Sequence, residues 1–542
     1  MSHGHSHGGK VCDGHGHGHG HGQPTGRELT GADVRGAGLQ DSVHTAASLG
    51  RLERVQELVE KNGAEILKST DQMGHTPAHW CCKNGHLHVL NYLVEAGAPV
   101  NLPSADSMGA TPIHWGCIGG RLDIVHRLLL PDANVDVDVR DTQMCTPLLV
   151  AAQYGEVVLA HLLVRNGADV HAIDENHDTA LAWAAYKGHA SIVNLLLVEG
   201  GQLDTVDAHG QLPVHLASLR GNYDVVRLIL RSLSNSAGVS TMLAVKDKKQ
   251  RTPLQLAKNN RREAIVSLLS PTWWNWFTNS PDKAYFAIFF IGGYCYYPYW
   301  AYVFPATGHA VVMHIVFWAL NFGKWYNLLK AHTSDPGTIK RGRRDYDDAM
   351  AEMCRSGRME WYASRHHKLC HMCRIVRPLR SKHCRIKDTC IDRYDHYCPW
   401  VGNAVGRSNH INFFLYLLFG SFCLSLYTYM ASQWLVVYGA RADGAGHVVA
   451  SMFLMGLFTL FLLAMLGQHA HMMLTNRTTN EYINSHRYEH FEIRDGQEFN
   501  PFDRGATQNA RMYFKCEDAA VTERIDDMLG DDGESQALLR AL

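Results

Sequence analysis

The hydrophobic rhythm of the chain changes near residue 280. Before that point the apolar residues fall in short, repeating blocks set off by polar turns. After it come four apolar runs, roughly Tyr285–Phe304, His309–Leu329, Ile411–Tyr438 and Val448–Leu474. Each is long enough to cross a bilayer, which takes about 20 residues. The second run carries Lys324 near one end, where a lysine stem can snorkel to the headgroups. Four such runs in one half and none in the other point to membrane spans rather than core helices of a soluble protein. Trp273, Trp274 and Trp276, just before the first run, read as an interfacial anchor.

The blocks of the first half share a phrase. It reads Thr76-Pro-Ala-His-Trp, Thr111-Pro-Ile-His-Trp, Thr146-Pro-Leu-Leu-Val, Thr179-Ala-Leu-Ala-Trp, Leu212-Pro-Val-His-Leu and Thr252-Pro-Leu-Gln-Leu, with a worn copy at Ser42-Val-His-Thr-Ala-Ala. Most copies stand 33 to 35 residues apart. This resembles the ankyrin repeat: a turn at Thr-Pro, two short helices, then a β-turn loop such as Asn166-Gly-Ala-Asp. About seven copies over residues 41–270 predict one curved solenoid, each repeat burying its apolar face against its neighbours. Such a surface binds proteins. Trp80, Trp115 and Trp183 share one phase of the repeat. They either fill the inter-helix core or form an aromatic ladder that grips an extended peptide, with Asn84 as a backbone clamp.

Charge sets the orientation. Between Lys330 and His410 the loop carries Arg341, Arg343, Arg344, Arg377, Arg380, Lys382 and Arg385, whereas the two short connections between spans carry only Arg441. The positive-inside rule puts this loop, and with it both termini, in the cytosol. The chain's net charge of -1 averages unlike regions and says little about partners. Of 14 cysteines only Cys370, Cys373, Cys384, Cys390 and Cys398 cluster, which fits metal-binding or catalytic thiols on a reducing face better than a disulfide scaffold. Residues 1–40 open with a His/Gly tail (His15, His17, His19, His21) that has no core to form. It is a solvated tail or a chelator of Zn²⁺ or Ni²⁺.

The densest chemistry is Asp395-His396-Tyr397-Cys398-Pro399-Trp400. A thiol with a histidine two residues before it and an aspartate three before it has the parts of an activated nucleophile. The wider pattern is Cys370-x2-Cys373-x9-His383-Cys384-x5-Cys390-x4-Asp395-His396-Tyr397-Cys398, continuing through Val401, Asn403, Gly406, Asn409 and Phe413. Asp335-Pro336-Gly337 follows the second span, Thr478-Thr479-Asn480-Glu481 follows the fourth, and Asn500-Pro501-Phe502 leads to Asn509. Over residues 285–514 the chain resembles the DHHC family of protein S-acyltransferases, here with DHYC, and among these the ankyrin-bearing members.

That resemblance implies the rest. Cys398 is the nucleophile, His396 its base, Asp395 the residue that orients His396, and Thr479 a hydrogen-bond donor to Asp395, with Glu481, Trp400 and Asn509 in support. Cys370, Cys373, His383 and Cys390 match the family's first zinc site, a closed Cys₃His set. The second site's positions are Cys384, Lys387, Tyr397 and Ala404, of which only Cys384 can ligate, so one structural Zn²⁺ is expected. Palmitoyl-CoA is the implied cosubstrate. Arg377, Arg380 and Lys382 are candidates for its phosphates, with a solvated basic face equally open.

The expected fold class is all-α: a cytosolic ankyrin solenoid (41–270), spans one and two (285–329), a zinc-stapled catalytic domain (365–415), spans three and four (411–474), and a cytosolic C-terminal segment with an acidic tail (475–542). The expected partners are the bilayer and substrate proteins with cytosolic cysteines docked on the array, with no nucleic acid. An endomembrane, by family habit the Golgi, is the expected location. The competing class is a membrane-anchored adaptor whose enzyme half has decayed.

Overall fold

The computed structural model describes residues 42–233, 236–270, 283–308, 310–342, 344–356, 369–488, 491–494 and 497–515. The His/Gly tail, the Trp273–Trp276 anchor and the acidic tail lie outside the described residues.

The repeated phrase is a helix start. Thr76 stands in extended conformation before the helix Pro77–Asn84, and Pro77 takes the first helical position, where its missing N–H is no loss. Three residues on, His79 Nδ1 accepts the Thr76 backbone N–H at 3.1 Å and lies 2.8 Å from Thr76 Oγ1. The other ring nitrogen, Nε2, reaches the Ala110 carbonyl of the next repeat at 2.9 Å. His114 repeats both arrangements, with Nε2 3.0 Å from the Cys145 carbonyl. One side chain thus caps its own helix and staples two repeats. The helices then stop where glycine takes a left-handed conformation, as at Gly155 (φ 88°) and Gly188 (φ 90°).

Seven helix pairs result, from Val43–Ser48 with Leu52–Asn62 to Pro253–Asn259 with Glu263–Leu269. Their apolar faces merge into one continuous core. The helix Arg344–Ser356 joins that core through Tyr346, Met350 and Met353, so the array is docked on the segment that precedes the Cys/His domain.

Helices stand at all four apolar runs. The first, Lys283–Pro298, passes through a π-helical turn at Tyr299–Val303, just after Pro298, into Phe304–Thr307. The others are Val311–Thr333, His410–Tyr438 and Ala445–Leu474. Among the described residues the last two are long and apolar enough to cross a membrane by themselves. The first is broken at Pro298, and the second is diluted by Asn321, Lys324 and Asn327.

The chain is mostly helical as expected, and short strands supplement the helices chiefly in one region. The Cys/His domain is built from antiparallel two-stranded hairpins, Leu369–Cys370 with Ile375–Val376, Lys382–Cys384 with Thr389–Ile391, and His396–Cys398 with Asn403–Val405. A fourth pairs Glu492–Arg494 with Gln497–Phe499. The turns of the first two hairpins bring Cys370 and Cys373, and His383 and Cys390, towards one point.

Candidate active site

Strand alternation sorts the Asp395–Cys398 stretch. In the hairpin His396 pairs with Val405, Tyr397 with Ala404 and Cys398 with Asn403. Successive side chains on a strand point to opposite faces, so His396 and Cys398 share one face and Tyr397 takes the other. Asn403 ties the hairpin to the end of the helix Val311–Thr333. Its Nδ2 donates to the carbonyls of Ala331, His332 and Ser334 at 3.0, 2.9 and 2.9 Å, satisfying carbonyls that the end of Val311–Thr333 leaves open. His332 Nδ1 adds a 2.8 Å bond to the Val401 carbonyl.

On the first face, Asp395 Oδ2 lies 2.5 Å from His396 Nδ1. Thr479 donates twice to Asp395, from its backbone N–H to Oδ1 at 2.7 Å and from Oγ1 to Oδ2 at 2.7 Å. Cys398 is buried and hydrogen-bonds to His396. Burial disfavours the imidazolium, but the hydrogen bonds and charges of Asp395 and Cys398 outweigh it and hold His396 at about 10. Burial likewise works against the Asp395 carboxylate, and the His396 and Thr479 bonds overcome it, leaving Asp395 well below the usual carboxylate range. The site is therefore poised to keep a proton on His396 and negative charge on Asp395, next to the Cys398 thiol.

Thr479 is held by its own helix, Thr479–Asn484. Thr478 caps that helix, and Glu481 returns the bond by accepting the Thr478 N–H at 2.9 Å. Glu481 also takes both arms of Arg380, at 2.7 and 2.8 Å, with the two side chains 2% and 5% exposed. Arg380 gives its remaining donors to Asn476 Oδ1 and O, both at 3.1 Å, and lies over the Phe502 ring. The expectation that Arg380 meets CoA phosphates is corrected: its guanidinium is spent inside the protein, bracing the Thr479 segment. Lys382 donates to Asn480 Oδ1 at 2.7 Å. Arg377 keeps a buried Nε without a hydrogen bond among the described residues. Asn509 Nδ2 donates to the Leu474 carbonyl at 2.7 Å, closing the last turn of Ala445–Leu474.

Cys398 opens into a cavity of about 780 Å³, mouth included, that runs between the helices of the four apolar runs. Its walls are apolar, among them Trp325, Leu328, Phe413, Leu424 and Leu462. Half-exposed Trp400 stands on its rim near Phe458 and Phe461.

A second centre lies on the neighbouring hairpins. Cys370, Cys373, His383 and Cys390 bring one ligand atom each within 4.8 Å of one another. His383 Nδ1 is 3.5, 3.3 and 4.0 Å from the three sulfurs, close to the roughly 3.5 Å edge that a tetrahedral Zn–S and Zn–N set requires. The four residues fit a zinc ion. On the other face of the catalytic hairpin, Tyr397 packs with Cys384, Ile391, Ala404 and Tyr394 in an apolar cluster, and Lys387 points to solvent.

In the array Trp115 is 4% exposed and makes ring contacts with His75, His79 and Trp80, while Lys83 sits over both tryptophans. Trp183 is buried and donates to Asp174. Trp80 is half-buried and donates to Asp71. The Asn84 Nδ2 is engaged within the array, on the Ser48 carbonyl at 2.8 Å and Ser48 Oγ at 3.0 Å. Three residues of the site have no signal in local spacing. These are His469, whose ring lies 5.9 Å from that of His396, Asn476, and Asp388 in the turn between two ligand strands.

Residues 363–486 match the family model described as DHHC palmitoyltransferase. Four overlapping segments between residues 43 and 273 match the model described as ankyrin repeats (3 copies). The chain thus carries a DHHC palmitoyltransferase domain together with an ankyrin-repeat array. It is similar to palmitoyltransferase ZDHHC17 of Homo sapiens, 30% identical over 234 residues, 40% of this chain and 36% of that protein. Similarity also extends to palmitoyltransferase Hip14 of Drosophila melanogaster (33% over 207 residues, 35% of this chain and 31% of that one). Palmitoyltransferase ZDHHC12 of Homo sapiens is 37% identical over 148 residues, 27% of this chain and 54% of that one. The chain spans 36% of the length of the ZDHHC17 relatives it matches.

Proposed function

We propose that this chain is a protein S-acyltransferase that moves a fatty acyl group from acyl-CoA to cysteines of substrate proteins. The observation that carries the reading is Cys398, hydrogen-bonded to an imidazole already paired with Asp395, at the opening of an apolar cavity between membrane helices. The Cys398 thiolate attacks the thioester carbonyl. The carbon–sulfur bond to CoA breaks, and the departing CoA sulfur takes the proton from His396. A substrate cysteine then returns a proton to His396 and attacks the acyl-enzyme, freeing Cys398. One thioester is exchanged for another, so the residues chiefly supply position and proton transfer. Asp395 holds His396 by Nδ1, and Thr479 holds Asp395. The cavity shelters the acyl chain, with Trp400 at its rim.

Cys370, Cys373, His383 and Cys390 hold one structural zinc, whose role is to stabilise the hairpins. The apolar cluster around Tyr397 takes the place of a second metal. Lys382 and Arg377 are the remaining candidates for CoA phosphates. The array recruits substrate proteins, the four helices span an endomembrane such as the Golgi, and the catalytic domain and both termini face the cytosol.

The test is incubation of the purified protein with labelled palmitoyl-CoA. Hydroxylamine-sensitive label on the wild type and none on Cys398→Ala is the expected result. If both proteins stay folded and unlabelled, the membrane-anchored adaptor reading replaces this one.

A further inference from the structure

Asp388 sits at the turn of the hairpin that carries two of the zinc ligands, His383 and Cys390, in a left-handed conformation (φ 52°). Its side chain is 6% exposed, and charged groups from three directions converge on it. Arg341 reaches Oδ2 at 3.1 Å and also the Asp388 carbonyl. From the sixth helix pair of the array, Arg231 pairs with Oδ2, and Arg227 Nη2 lies 3.4 Å from Oδ1. From the Cys/His cluster itself, His383 Nε2 lies 3.4 Å from the same Oδ1, which makes no hydrogen bond as it stands.

The helix Tyr223–Ser232 aims one whole face at this turn. Asp224, Arg227 and Arg231 stand at i, i+3 and i+7, which places them on one side. Arg227 Nη2 donates to the Arg385 carbonyl at 2.8 Å, and Arg385 Nε donates back to Asp224 at 2.9 Å. Docking of the array does not depend on these pairs, because Tyr346, Met350 and Met353 already share its apolar core. The charged contact falls on the turn, and Asn194 of the array also donates to the His371 carbonyl, beside Cys370, at 3.0 Å. Beside it the seam is open, a polar cleft of about 750 Å³ lined in part by His189, Ser191 and Met372.

We propose that the ankyrin array braces the metal centre, with Asp388 as a positioning residue that orients His383 and Arg227 and Arg231 fixing Asp388 from outside the catalytic domain. A ligating histidine is ordinarily oriented through its second ring nitrogen by a carboxylate, and losing that partner costs about 10- to 100-fold in metal affinity. Here the carboxylate is itself held by a different domain. A partner that shifts the sixth helix pair would loosen the metal centre without touching it.

The proposal requires a metal at the cluster but no acyl transfer. The full chain is purified in detergent, its zinc content measured, and zinc release to a chelating dye timed for wild type, Arg227→Ala/Arg231→Ala, Arg231→Ala alone, and Arg227→Lys/Arg231→Lys. The Arg231 side chain is 49% exposed, so its truncation leaves the array folded. The expected result is release about tenfold faster in the alanine pair, an intermediate effect in the single variant, and substantial rescue by the lysine pair. In cobalt-substituted protein the ligand-field bands should shift in the alanine pair, a change that loosened packing elsewhere does not produce. Zinc-loaded variants with wild-type release and unshifted bands overturn the bracing role alone. A wild-type chain that holds no zinc overturns the metal reading and the bracing role with it.

Discussion

Arg380→Met separates two roles for one basic residue. In the structure Arg380 and Glu481 form a buried two-armed pair, and the substitution leaves the Glu481 carboxylate with the Thr478 N–H but no cation. Breaking one partner of such a pair costs about 3–5 kcal/mol. That strain falls on the Thr478–Glu481 capping box, which positions Thr479 against Asp395. The expected outcome is a lower unfolding temperature and a slower rate of Cys398 acylation at saturating acyl-CoA, with little change in KM. Replacing both partners, Arg380→Met with Glu481→Met, should recover part of the lost stability, because no orphaned charge then remains. Both quantities are read from thermal unfolding and from single-turnover labelling over a range of acyl-CoA concentrations. A folded Arg380→Met protein with unchanged kcat and a raised KM would refute the reasoning. That pattern is the mark of a lost substrate-binding contact, and it would return Arg380 to the CoA phosphates.

Three other outcomes follow from the same geometry. His396 is held at about 10 against an ordinary 6.5, so its pairing contributes stability that is full below about pH 6.5 and is lost as pH rises through 10. The gap in unfolding temperature between wild type and His396→Asn should therefore narrow in that window, and a constant gap contradicts the pairing. Metal analysis should find one zinc per chain, lost in Cys373→Ser; two tightly held ions would show that the Tyr397 cluster does not stand in for a metal. Trp115→Ala should destabilise the array by about 3–5 kcal/mol, because its side chain is buried among His75, His79 and Trp80. Unchanged stability with lost capture of substrate protein would instead favour the aromatic ladder.

The array was legible because its signal is local. Thr, Pro and His at fixed offsets are the atoms of a cap and of the bond to the next repeat, so the phrase itself describes the contact. The relay was legible in part for the same reason, since Asp395, His396 and Cys398 lie within four consecutive residues. What local spacing could not show is who competes for a charged group. Arg380 reads as free until Glu481, about a hundred residues later, is folded against it. Asp388 reads as a hairpin-turn residue until the array brings Arg227 and Arg231 to it. The hairpins escaped for a different reason: strands of two or three residues carry too few positions for a period of two to register.

The ribbon His396–Cys398 has a consequence for how such proteins can change over time. Its two faces differ, with the Asp395-paired His396 and Cys398 on one and the packed Tyr397 on the other. A substitution at Tyr397, Ala404 or Lys387 alters what fills the space behind the ribbon while the relay in front keeps its geometry. Changes on the back face and changes on the front face can therefore be read separately, the first by stability and the second by labelling of Cys398.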